Sequence, residues 1–148
     1  MAKKKKYSNI LESPGFVLWR VSNTWQKKFS QVLESIDLTY VEFVLLMGLD
    51  RFSKKNQEVT QTQLATETNT DVMMTSQVLR KLEARGYVKR KDHETDSRAK
   101  KIQLTKKGLD AVEESIKLLE NLDMEFFEKT SKDTEKLIFG LTEILNPE

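Results

Sequence analysis

At 148 residues the chain is long enough for one domain, or for one domain with helical extensions that share its core. It is 38% hydrophobic and 32% charged with only 5 Gly and 2 Pro, which favours long helices over a β-sandwich or barrel. The absence of Cys and the single His exclude disulfides and thiol nucleophiles and disfavour a structural zinc site. No apolar run approaches the roughly 18 residues that span a bilayer, and no secretory signal follows the basic N-terminus, so we expect a cytoplasmic protein that does not contact membranes.

The charges are strongly segregated along the chain. Residues 80–107 carry 11 basic and 4 acidic side chains, a net charge of +7, whereas residues 108–148 carry 4 basic and 11 acidic side chains, a net charge of −7. A run of charge is often only a solvated face. Segregation of this size favours a surface that meets phosphate.

The first predicted element is a long helix. Ser13 is a typical N-cap, and Pro14 suits the first helical position. Apolar residues then recur every three or four positions as far as Ile36, which predicts a stripe along about six turns.

A second helix is predicted over residues 41–52. Thr39 and Glu42 form a capping-box pattern ahead of it, and its many apolar residues predict a central, buried position. The polar residues 53–58 that follow are typical of a loop.

Two shorter helices are predicted next. Thr60 and Gln63 repeat the capping-box pattern and open a helix over 61–67, and another follows over 71–84. Gly86 ends the latter where a left-handed residue is favoured. Its inward face is predicted to carry Val72, Thr75, Leu79 and Leu82.

Two short runs follow in which apolar and polar residues alternate. The first contains Val88, and the second contains Ile102 and Leu104. They predict a two-stranded hairpin with a long charged tip. Thr105 then caps a helical region through about residue 122, and Asp123 is expected to open a last helix. The whole chain is therefore predicted to be mainly α with a small antiparallel β-wing, in the element order of a winged helix-turn-helix.

Four segments in this order resemble motifs of the MarR family of transcriptional regulators. They are LTYVEF at 38–43, TQTQLA at 60–65, LEARGYVKR at 82–90, and DSRA at 96–99 followed by IQLTKKG at 102–108. The resemblance implies a winged-helix homodimer that binds double-stranded DNA. It implies one MarR-type domain over 1–148, with a DNA-binding lobe at 38–108 and dimerisation helices at 13–36 and 109–146.

The second helix of the helix-turn-helix is expected to enter a major groove, and the cations of the wing to neutralise phosphates. The resemblance further implies that Arg98 reaches into the minor groove, with Asp96 holding its guanidinium. The chain departs from the family pattern at Gln77, where an Arg is common, and at Met73 and Met74, where small hydroxyl residues are usual. The candidate DNA-binding residues are Thr70, Met73, Met74, Ser76, Gln77, Arg80, Lys81, Lys89, Arg90, Asp96, Arg98 and Lys100.

The leading functional hypothesis is a sequence-specific regulator, a repressor of an inverted-repeat operator whose affinity a ligand lowers. Many relatives hold a small aromatic effector between the dimerisation helices and the DNA-binding lobe. Such a cleft would here be lined by Trp19, Trp25, Tyr40 and Phe43, although these residues also suit plain core packing. Two alternatives remain open, a winged-helix protein-interaction module and an enzyme. The chain carries no phosphate-binding glycine loop and no His-based relay, and neither a cofactor nor a metal is predicted.

Overall fold

The computed structural model describes residues 6–92, 100–128 and 133–146. Within these residues the chain forms six α-helices and three short strands. In chain order they are α1 (Pro14–Glu34), α2 (Tyr40–Lys54), β1 (Val59–Thr60), α3 (Gln61–Thr68), α4 (Val72–Ala84), β2 (Val88–Asp92), β3 (Lys100–Leu104), α5 (Lys106–Phe126) and α6 (Thr134–Leu145). None of the helices in the described part of the chain is long and apolar enough to cross a membrane.

The predicted starts of α1, α2 and α3 are confirmed. The Ser13 hydroxyl accepts a hydrogen bond from the amide of Phe16 at 3.4 Å ahead of α1. Both capping boxes form. The Glu42 carboxylate accepts from the Thr39 amide at 3.0 Å, and the Gln63 side chain accepts from the Thr60 amide at 2.9 Å. Local side-chain bonds therefore satisfy amides that each helix start leaves without a helical partner.

The strands form one antiparallel sheet in the order β1-β3-β2. In this sheet Ile102 lies opposite Val59 on one side and Arg90 on the other. The hairpin of β2 and β3 confirms the predicted wing. The sequence did not predict β1, and the predicted loop at 53–58 begins too early because α2 continues to Lys54.

The core lies around α2, which packs against α1, α3, α4, α5 and β3. The sequence correctly predicted this central position. The largest fully buried side chains come from five helices and include Phe29, Leu33, Leu45, Leu46, Leu64, Leu79, Leu82 and Val112. Both α4 and the wing pack against this core. The packing of the core therefore fixes their positions on the surface.

Two further sequence predictions are wrong. Asp123 does not open a helix, since it lies inside α5, where its carboxylate accepts a hydrogen bond from the Trp25 indole at 2.6 Å. The last helix begins instead at Thr134. Val72 does not face inward either. It is exposed because the buried stripe of α4 begins only at Thr75.

Gly108 is required by the close approach of α5 to the start of the wing. A Cβ at this position would lie 2.1 Å from the carbonyl oxygen of Tyr87, a backbone atom that cannot swing away. We therefore expect Gly108→Ala to lower the free energy of unfolding by about 1–3 kcal/mol in a urea titration followed by circular dichroism. Gly15→Ala is the matched control, because a Cβ there meets no atom within 4 Å. Equal unfolding midpoints for the two variants would contradict this packing.

Candidate nucleic-acid interface

The turn between α3 and α4 is held by a small polar network. Asn69 ends α3 in the left-handed conformation with φ 52°, and the Asp71 carboxylate caps α4 by accepting from the Met74 amide at 2.8 Å. Thr75 is fully buried, and its hydroxyl donates to the Asp71 carbonyl at 2.7 Å. These bonds fix the angle at which α4 leaves the turn.

Thr70, one of the candidate DNA-binding residues, is part of this network. Its side chain is half-buried. Its hydroxyl oxygen lies 2.8 Å from that of Thr68 and 2.7 Å from that of Thr75. Its hydroxyl therefore helps to hold the turn, and contact between Thr70 and DNA stays a prediction.

The outer face of α4 carries most of the other predicted residues. Its first turn is apolar at the surface, where Met73 and Met74 are both exposed. Ser76 is half-buried. Exposed polar and cationic side chains continue this face towards the end of the helix, namely Gln77, Arg80 and Lys81.

The described part of the wing adds exposed cations next to α4. They are Lys89, Lys91 and Lys100. Arg90 is more enclosed, because its Nε donates to a Glu83 oxygen at 3.0 Å and its side chain is only 19% exposed. Lys101 is buried and pairs with Glu58. Asp96 and Arg98 lie outside the described residues.

Arg85 connects α4 to the start of α2, a role that no local sequence pattern indicates. Its guanidinium donates to both carboxylate oxygens of the buried Glu42 at 3.2 Å and to the Asp37 carboxylate at 3.0 Å. Burial lowers the pKa of Arg85, but attraction to Glu42, Tyr87 and Asp37 together outweighs burial and leaves the pKa raised. The guanidinium therefore stays charged throughout the physiological pH range.

Residues 38–100 match the model of the MarR family. YdcH of Bacillus subtilis, an uncharacterized HTH-type transcriptional regulator, is 36% identical to this chain over 143 residues, which cover 97% of each protein. The chain belongs to the MarR family. It is a helix-turn-helix transcriptional regulator, in which α3 and α4 form the helix-turn-helix and β2 and β3 form the wing.

Solved structures of MarR-family proteins share this fold. A mutant of MarR from E. coli, complexed with operator DNA, superposes with a TM-score of 0.78 at 20% identity, over 94% of this chain and 100% of that one. The MepR–DNA complex of S. aureus superposes with a TM-score of 0.77 at 23% identity, over 90% of this chain and 96% of that one.

Three of the four aromatic residues predicted to line an effector cleft come together in this MarR-family chain. Phe29 contacts the rings of Trp25, Tyr40 and Phe43, with centroid distances of 5.4, 6.2 and 4.8 Å. Burial raises the pKa of Tyr40, so its phenol stays protonated at neutral pH. Trp19 lies apart on α1, exposed and beside Phe16. A ligand role for these residues stays a prediction.

The two neighbouring cations of β2 are expected to behave differently. Lys89→Ala should weaken binding to any duplex and lower the slope of log K against log salt by about one, because an exposed lysine can neutralise a phosphate. Arg90→Ala should change the slope less and the unfolding midpoint more, because it breaks the ion pair with Glu83. Fluorescence anisotropy at several salt concentrations gives both slopes. A larger slope change for Arg90→Ala than for Lys89→Ala would overturn this ranking.

Proposed function

We propose that the chain is a repressor that binds an inverted-repeat operator as a homodimer and releases it when a small aromatic ligand binds. Each α4 enters a major groove and each wing follows the adjacent backbone, with Arg98 reaching into the minor groove. The observation that carries the proposal is the exposed outer face of α4 beside the exposed lysines of the wing.

Electrostatics favour a duplex as the partner. Residues 80–107, which include the end of α4 and the wing, carry the net charge of +7, while the rest of the chain is close to neutral or acidic. Lysine and arginine contacts to phosphate supply most of the affinity of such proteins, and contacts to base edges supply the specificity. The uncharged first turn of α4 and its cationic end suit this division of roles.

The apolar faces of the terminal helices support the homodimer. On α1 the buried part of the stripe is confined to its second half, at Phe29 and Leu33. The first half of α1 and most of α6 expose large hydrophobic side chains, among them Trp19, Phe139 and Leu145. Exposed apolar surface of this extent is typical of an interface. A second copy that covers it by two-fold symmetry places the two α4 helices at inverted half-sites.

The ligand response has a specific candidate site. A shallow groove at the start of α1, open to solvent in one chain, is lined by Ser13, Gly15, Phe16 and Trp19. Its aromatic side chains suit a flat ring, and a second copy packed against α1 would enclose it. Because α1 belongs to the proposed dimer interface, a ligand bound there would change the spacing of the two DNA-binding lobes and so lower operator affinity.

Selection of bound sequences from a random duplex pool tests the proposal. We expect an inverted repeat with half-site centres about 10 bp apart and two chains per duplex by light scattering. Arg98→Ala should weaken binding to the selected operator by roughly 5- to 150-fold, the range for one specific contact, without changing the melting temperature. Lys117→Ala, which removes one exposed cation from α5, is the matched control and should bind like the parent.

Three outcomes would contradict the proposal. They are a failure to enrich any sequence, enrichment of a site without two-fold symmetry, and a monomer mass both free and bound. Parental affinity of Arg98→Ala at near-physiological salt would remove Arg98 from the proposed interface.

A further inference from the structure

We propose that the first turn of α4 reads thymine through its methyl group, with Met73 making the central contact and Val72 and Met74 flanking it. The inference rests on the proposed function, because it assigns the base that the helix-turn-helix recognises.

The polar groups at the start of α4 are engaged within the protein. The Asp71 carboxylate caps the helix at the Met74 amide. The hydroxyls of Thr70 and Thr75 lie 2.7 Å apart and face the interior of the turn. The two hydroxyls therefore point inward, and the exposed Asp71 carboxylate uses one oxygen to cap the helix. The side chains that follow at 72–74 are apolar.

Three consecutive apolar side chains form the surface at the start of α4. Val72 is 48%, Met73 74% and Met74 38% exposed. One exposed hydrophobic residue needs no explanation, but three in a row at the exposed end of a helix form a patch that a partner is expected to cover. Val72 precedes the buried stripe of α4, which begins at Thr75, so core packing does not account for it.

The surroundings of the patch favour DNA over a protein as this partner. Counting along the helix, Gln77 lies one turn beyond Met73, and Arg80 and Lys81 lie one turn beyond Gln77, so these residues share one face. Lys89 on the adjacent wing is also exposed. This face therefore presents an apolar patch, then the Gln77 amide and then cations. Such an order is complementary to a major groove, where base edges lie between two rows of phosphates.

Thymine is the base that matches an apolar contact in the major groove. Its C5-methyl group projects into that groove, whereas the other bases present there mainly hydrogen-bond donors and acceptors. Methionine is flexible and polarizable, so it can pack on a methyl group without a fixed hydrogen-bond geometry. The amide of Gln77 can pair with the N6 and N7 atoms of an adenine one turn further along the helix. We therefore expect each half-site to contain a thymine opposite Met73 and a nearby adenine opposite Gln77.

Replacing thymine by deoxyuridine in the selected operator tests the inference, because it removes the methyl group and keeps the base pairing. At the position opposite Met73 we expect affinity to fall about three- to fivefold per half-site, the effect of one buried methyl group. A 5-bromodeoxyuridine at the same position, which restores bulk at C5, should recover most of the affinity. In Met73→Ala the thymine and deoxyuridine operators should bind equally. Ile10→Ala, which truncates an apolar side chain that is 62% exposed ahead of α1, should keep the full difference.

The outcomes separate this inference from the proposed function. If the parent protein selects no operator, the proposed function fails. If it selects an operator but binds the thymine and deoxyuridine forms equally at every position, the methyl readout is wrong and the function stands. If the difference persists in Met73→Ala, another residue or the shape of the DNA senses the methyl group, and the assignment to Met73 is overturned.

Discussion

The ion pair between Arg85 and Glu42 joins the end of α4 to the start of α2, and the placement of the DNA-binding surface depends on it. Glu42 is buried and already caps α2 through the Thr39 amide, so its negative charge needs a cation within the protein. Arg85 supplies this cation directly before Gly86, whose φ of 82° turns the chain into the wing. One contact therefore orients the central helix, the last turn of α4 and the first strand of the wing together.

The polar side chains around α4 fall into two groups, those with partners inside the lobe and those on its outer face. Thr75 and Arg85 direct their polar atoms to partners inside the lobe, and Lys107 donates to the Arg85 carbonyl at 2.7 Å. The side chains on the outer face of α4 have few contacts within the protein itself. Substitutions on such a surface leave the scaffold beneath unchanged. The chain can therefore keep the MarR fold whatever side chains the outer face of α4 carries.

Features set by neighbouring residues were predictable from the sequence, and features set by distant partners were not. The caps at Thr39 and Thr60, the left-handed Gly86 and the hairpin follow from local patterns, and all were found. Asp123 was misassigned because its partner, the Trp25 indole, lies 98 positions away. The same limit hid the Arg85–Glu42 pair, whose residues lie 43 positions apart. The Arg90–Glu83 pair spans only 7 positions, but it forms across the turn between α4 and β2, where no regular spacing indicates a contact. The short β1 strand was not predicted because its pairing with β3 depends on tertiary contact. A strand of two residues is also too short to show the alternation of apolar and polar residues that predicts a strand.

A double-mutant cycle on the free energy of unfolding tests the central role of the Arg85–Glu42 pair most directly. Glu42→Gln keeps a capping-box residue and removes the charge, while Arg85→Met keeps the aliphatic stem and removes the guanidinium. Urea unfolding of the parent, both single variants and the double variant gives the coupling energy. We expect a coupling of about 1–2 kcal/mol, with the double variant more stable than the sum of the single losses predicts, because each single variant leaves a charge without its partner. Losses that add within about 0.3 kcal/mol would contradict the account.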